Sequence, residues 1–203
     1  MASTAVELLR RRFGRKSLPY DAKVEYLSST SNATQYIDTG VVPNSNTGIQ
    51  IVVYRYNTSD SYMCGLRDTT NTNTRWCIGN PGYYGYGNYG GIRSIPVNTQ
   101  IIYNLNYLND GTFNTPEYGS AVTLPTLPFT PVNNIRLFGS AGISASYSKW
   151  YGRIYEVKIT QGNILAMHLI PVRVGTTGYM YDKVSGQLFG NAGTGDFILG
   201  NDI

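Results

Sequence analysis

The chain has 203 residues and a formal net charge of +4, with only 14% charged residues against roughly 25% in an average domain. Five of its sixteen basic residues and one of its twelve acids lie in residues 1–16, so residues 17–203 carry eleven of each and are neutral. A neutral body argues against a broad nucleic-acid footprint, and no apolar run reaches the ~20 residues of a membrane-spanning helix.

The first predicted element is a short helix. Thr4 to Glu7 fits a capping box, and Val6, Leu9 and Phe13 then share one face, with Gly14 and Pro19 as stop signals. An isolated helix of this length is marginal in water and orders only against something else. Residues 1–18 therefore read as an anchoring arm. Val6, Leu9 and Phe13 would enter an apolar groove, while Arg10, Arg11, Arg12, Arg15 and Lys16 pair with acidic groups around it. The alternatives are a helix packed on its own body or on a second copy of itself.

From Lys23 onward the pattern has period two. Val24 and Tyr26 alternate with polar neighbours, and Ile49, Ile51 and Val53 form one face of a strand that follows a Pro43–Asn46 turn. Cys64 and Cys77 flank the polar stretch 68–74, which predicts the two arms of one hairpin. A cross-strand disulfide depends on register; two buried free thiols are the alternative.

Next comes Asn80-Pro-Gly-Tyr-Tyr-Gly-Tyr-Gly-Asn-Tyr-Gly-Gly91. Aromatic faces stack on sugar C–H faces, and Asn binds hydroxyls as donor and acceptor. Tyr83, Tyr84, Tyr86, Asn88 and Tyr89, joined by Trp76, are the candidate ligand-binding residues. The competing reading is a hairpin whose tyrosines cover the sheet or a neighbouring subunit. For Trp76, as for Trp150, a place in the core is the ordinary fate.

Residues 101–108 lead into Asn109-Asp-Gly111, a hairpin signal, and the Pro-rich stretch 116–131 reads as a crossover between sheets. Further strands are predicted at 135–138, 153–159, 164–172, 179–181, 188–189 and 197–199, with Gly162-Asn163 as a two-residue turn. Ten or more short strands separated by turns indicate a two-sheet sandwich or jelly roll.

Catalytic signals are weak. His168 is the only histidine, and no nucleophile motif accompanies it. Glycoside hydrolysis needs two facing carboxyl groups, yet Glu25, Glu117 and Glu156 each lack an alternating acidic neighbour. The acids are too scattered to suggest a hard-cation site. No catalytic residue, metal or cofactor is assigned.

Two groups of segments carry a resemblance. One is Val24-Glu-Tyr-Leu27 with Gln35-Tyr-Ile-Asp-Thr-Gly40. The other is Gly152-Arg-Ile-Tyr-Glu-Val-Lys-Ile159 with Leu169-Ile-Pro-Val-Arg173, Tyr181-Asp-Lys-Val-Ser-Gly186 and Asn191-Ala-Gly-Thr-Gly195. Over residues 20–200 they resemble the concanavalin A-like (LamG-like) lectin/glucanase domains of phage and prophage structural proteins of gut Bacteroidales. The resemblance implies an all-β, concanavalin A-like jelly-roll sandwich at 19–203 behind the helical arm 1–18. It also implies a virion fibre, decoration or receptor-contacting role; with the basic arm and the weak catalytic signals, the chain reads as a non-enzymatic virion protein, a fibre or capsid decoration subunit, docked on capsid, collar or tail proteins through the arm. Such a subunit would be a homo-oligomer and would expose its sandwich to host-surface glycans. A stand-alone carbohydrate-binding module is the alternative. The resemblance assigns no binding residues, because fold alone does not carry function.

Overall fold

The structure, a computed structural model, describes residues 17–31, 34–56, 61–67, 75–80, 82–87, 89–92, 94–126, 131, 133–142 and 150–203, with the backbone alone at Tyr89. The proposed arm residues Val6, Leu9, Arg10, Arg11, Arg12, Phe13, Arg15 and Lys16 lie outside the described residues, as does Asn88.

Among the described residues the chain forms seventeen strands, β1–β17 in chain order, in two antiparallel sheets. The larger sheet runs β11 (Val122–Thr123), β10 (Thr112–Asn114), β9 (Gln100–Leu105), β4 (Thr47–Arg55), β13 (Gly152–Gln161), β14 (Ile164–Val174), β15 (Thr177–Asp182), β16 (Leu188–Phe189). The smaller runs β3 (Ile37–Asp38), β12 (Arg136–Leu137), β5 (Tyr62–Arg67), β6 (Arg75–Gly79), β7 (Tyr83–Gly87), β8 (Tyr89–Ile92). This is the sandwich that the period-two pattern predicts; within the segment 116–131, Val122–Thr123 form an edge strand of the larger sheet, and residues 127–130 lie outside the described residues.

Alternation decides which side chains meet between the sheets. Ile49, Ile51 and Val53 of β4, Ile101, Tyr103 and Leu105 of β9, and Ile154, Val157 and Ile159 of β13 are wholly buried. From the smaller sheet Leu66, Trp76, Ile78 and Tyr84 join the same core. Tyr84 stacks on Phe113 of β10 with ring centroids 4.1 Å apart, and the Trp76 indole N–H donates to the Thr47 carbonyl at 3.2 Å.

The cysteine hairpin forms, and its register settles the disulfide question. Cys64 faces Ile78 whereas Cys77 faces Gly65, so the two side chains leave opposite faces of the sheet. Both are buried free thiols, and burial pushes the Cys77 thiol up to about 12 against the opposing pull of Arg67, Arg75 and the Gly85 backbone. At residues 101–108 the strand ends earlier than its pattern implies. Asn106, Leu108 and Asn109 adopt left-handed backbone conformations, so β9 stops at Leu105 and a 3-10 turn at Tyr107–Asn109 leads to β10.

Strands β13 and β14 pair only from Val157 to Leu169 and then part. Residues 22–28 fill the gap. Strand β1 (Ala22–Lys23) pairs with β14, and β2 (Leu27–Ser28) pairs with Arg153 and Ile154 of β13. Strand β17 (Ile198–Leu199) then pairs with β2. This three-part seam positions the site described next.

Candidate functional site

Where the seam opens, Glu25, Tyr26, Arg153, Tyr155 and Ile203 line a cleft of about 420 Å³. Local sequence builds it in three steps. First, Arg153 lies directly opposite Tyr54 on the outer face of the larger sheet. Second, β13 bulges between Ile154 and Glu156, which face the consecutive residues Val53 and Val52. The extra residue is Tyr155, and a bulge re-aims a side chain in this way. Third, a Cβ at Gly200 would come within 2.8 Å of the Glu25 Cβ and 2.9 Å of the Tyr26 nitrogen. The absence of a side chain there lets residues 200–203 lie against residues 23–26.

Aromatic rings surround one cation. The Arg153 guanidinium lies 4.2 Å from the Tyr26 ring centre, 5.2 Å from Tyr54 and 5.4 Å from Tyr56. Its Nε donates to the Tyr56 hydroxyl at 2.5 Å, and it is also hydrogen-bonded to the Tyr155 side chain. Tyr155 meets Tyr26 edge-on at 5.6 Å, and Tyr151 stacks on Tyr56 at 4.5 Å. Cation–π contacts of this kind contribute about 0.5–1 kcal/mol each at exposed sites and fix the guanidinium in place. On the facing wall, Glu25 accepts from the Asn201 backbone N–H and side-chain amide, both at 3.3 Å.

A ribbon of polar side chains continues from this cleft across the same sheet face. His168 Nε2 is 2.6 Å and Lys158 Nζ 3.2 Å from the Glu156 carboxylate. Lys158 also donates to Gln50, Gln50 to Asn104, and Asn104 to Asn114. Burial raises the affinity of Glu156 for a proton, but the hydrogen bonds from His168 and Lys158 outweigh it and hold this carboxyl below its ordinary range. His168 is thus a partnered sheet residue.

The tyrosine–glycine hairpin has a different fate. Trp76, Tyr84 and Tyr86 are each 5% exposed or less, so their rings pack into the core. Tyr86 donates to the Ser45 carbonyl at 2.5 Å. Tyr83 points to the other face, half-buried, where its hydroxyl accepts from Arg75 at 3.2 Å. The glycines make room for these rings. A Cβ at Gly91, opposite Tyr84, would lie 2.4 Å from the Tyr84 hydroxyl, and one at Gly90 would lie 2.8 Å from that of Tyr83. The Tyr–Gly alternation is therefore cross-strand packing. The Tyr89 side chain and Asn88 are outside the described residues.

Composition alone misses the cleft. The signal that points to it is Tyr54-Arg-Tyr56 together with Tyr151-Gly-Arg-Ile-Tyr155, whose spacing sets tyrosines and Arg153 on one face of each strand. A second, smaller hollow of about 190 Å³ lies beside the left-handed turn, with Ser45, Asn46, Tyr86, Asn106 and Asn109 in its lining. Among the described residues no three His, Cys, Asp or Glu side chains gather to hold a metal ion.

No family model matches the chain, and no curated protein does. A solved structure does: the 1.50 Å crystal structure of a Bacteroides ovatus protein to which carbohydrate binding is ascribed. The two share 14% identity at a TM-score of 0.54, over 87% of this chain. The chain spans 60% of that protein's length, and the likeness is one of fold.

Proposed function

We propose that the sandwich is a non-catalytic carbohydrate-binding module whose ligand lies in the cleft of Tyr26, Arg153 and Tyr155. One observation carries this reading: the cleft combines half-buried tyrosine rings with a fixed cation on one wall and a carboxylate, Glu25, on the other. Aromatic faces pack on sugar C–H groups, while the charged groups bond hydroxyls and set the orientation. The ascribed role of the Bacteroides ovatus protein supports the reading. Among the lining residues Glu25 has the single carboxyl side chain, whereas glycoside hydrolysis uses two, which favours binding over cleavage.

The resemblance and the charge distribution favour a wider setting: a virion fibre or decoration protein, homo-oligomeric, held on capsid, collar or tail proteins by residues 1–18. Removal of residues 1–18 is then expected to leave glycan binding intact and to abolish co-assembly with particles. A truncated chain that still assembles defeats the anchor.

Glycan-array binding by the full chain, repeated with Tyr26→Ala and Tyr155→Ala, tests the site. Each substitution should weaken binding tenfold or more, about 1.4 kcal/mol. Wild-type chain that retains no glycan, or variants that bind as the wild type does, would defeat it.

A further inference from the structure

We infer that the cleft selects an anionic saccharide, with the carboxylate or sulfate of an acidic sugar seated on Arg153. The inference rests on the carbohydrate-binding reading and adds the ligand's charge.

Arginine offers five N–H donors in a planar fork. At Arg153 two of them go to phenol hydroxyls, those of Tyr56 and Tyr155. Neither hydroxyl neutralises the charge. Among the described residues the ion pairs join Lys158 and His168 to Glu156, and Arg173 to Asp202; Arg153 takes part in none. Glu25 shares the cleft, yet its carboxylate turns to Asn201. Arg153 is thus a cation held in an open cleft with donors to spare.

Its surroundings make that charge effective. Rings of Tyr26, Tyr54 and Tyr56 crowd the guanidinium on several sides. They displace water and hold it in one orientation, so little entropy is lost when an anion binds. A planar fork suits a carboxylate or sulfate in two-point contact, and such charge-assisted bonds are about twice as strong as neutral ones. Glu25 on the opposite wall accepts sugar hydroxyls and repels a second anion. Together the two walls orient an acidic sugar with its charged group toward β13 and its hydroxyls toward residues 25–26. Neutrality of the rest of the body adds a further expectation: attraction is local, and added salt weakens it.

The test uses the full chain on an array of uronate-, sialate- and sulfate-bearing oligosaccharides, each printed beside its neutral counterpart (carboxyl-reduced or desulfated). Expected is at least tenfold stronger retention of the acidic member of a pair, reduced at 0.5 M NaCl. Arg153→Gln should bring the two members within threefold of each other, and Arg153→Lys should retain part of the preference as a point charge without the fork. Melting curves for both variants confirm that they are folded. The carboxylate and sulfate arms identify which anion is preferred, and either result supports the inference. If wild-type chain retains neutral and acidic members equally, and Tyr155→Ala loses both, the anionic preference is overturned while carbohydrate binding stands. If no glycan is retained, both fall.

Discussion

The molecule has two tyrosine clusters with opposite roles. In the hairpin of β7 and β8, tyrosines and glycines alternate across paired strands, and Tyr84 and Tyr86 turn into the core. At the seam of β13 and β14, Tyr26, Tyr54, Tyr56 and Tyr155 stay on the outer face around a cation. The residue type is the same. The difference comes from what lies across the strand: glycine opposite Tyr84 makes space for a ring to lie down, while arginine opposite Tyr54 holds rings upright around a charge. Abundance of tyrosine does not decide whether a ring lies in the core or on the outer face; the cross-strand partner does.

Substitutions put this contrast to the test. The largest effect is expected for Tyr84→Ala, which removes a ring stacked on Phe113. By analogy with buried aromatic truncations, urea unfolding should show a loss of about 3–5 kcal/mol. A loss below about 1 kcal/mol, the level of a surface change, would mean that the hairpin tyrosines are not core.

Next comes Asp182, which separates framework from site within the larger sheet. Its carboxylate accepts the backbone N–H groups of His168, Val184 and Ser185 at 2.8, 3.1 and 3.0 Å. Burial works against the charged form, but the Ser185 side chain and these N–H groups outweigh it and lower the folded-state pKa. A lowered folded-state pKa stabilises the fold above the unfolded value of about 3.9, and that stability disappears as pH falls through the folded value. Asp182→Asn should therefore cost about 1.5–3 kcal/mol at pH 7 and flatten the acid limb of the stability–pH curve. Its glycan affinity at pH 7 should match wild type once both are folded.

Tyr155→Ala gives the converse pattern. Affinity falls tenfold or more while stability changes by roughly 1 kcal/mol or less, as read by calorimetric titration alongside thermal melts. A large drop in stability with unchanged affinity would assign Tyr155 to the framework. The smallest effect concerns the thiols. Native chain should resist alkylation at Cys64 and Cys77 and should melt at the same temperature with or without reductant, because both are buried and face apart.

Much of the architecture is legible in the residues themselves. Alternation at 49–53 and 153–159, the turn at Gly162-Asn163 and the cysteine hairpin all depend on local periodicity, which a sequence displays directly. The cleft does not, because it joins residues 25–26, 153–155 and 203, which only strand pairing brings together. The bulge at Tyr155 is equally silent in the sequence, since it arises from register against β4. For Trp76 and the hairpin tyrosines the sequence leaves core packing and ligand contact both open, because which face of a strand is inward depends on the opposite sheet.

The seam has a consequence for how the molecule forms. Glu25 and Asn201, in contact across it, are separated by 176 residues. Contacts between distant parts of a chain close slowly, because the loop between them must first be constrained. Strands β4, β9, β13 and β14 can pair into a sheet before residues 197–203 dock on 22–28, and at that stage Tyr26 and Arg153 have no cleft to line. On the proposed carbohydrate-binding reading, affinity for a ligand should then appear late in refolding, and its appearance would time the closing of the seam.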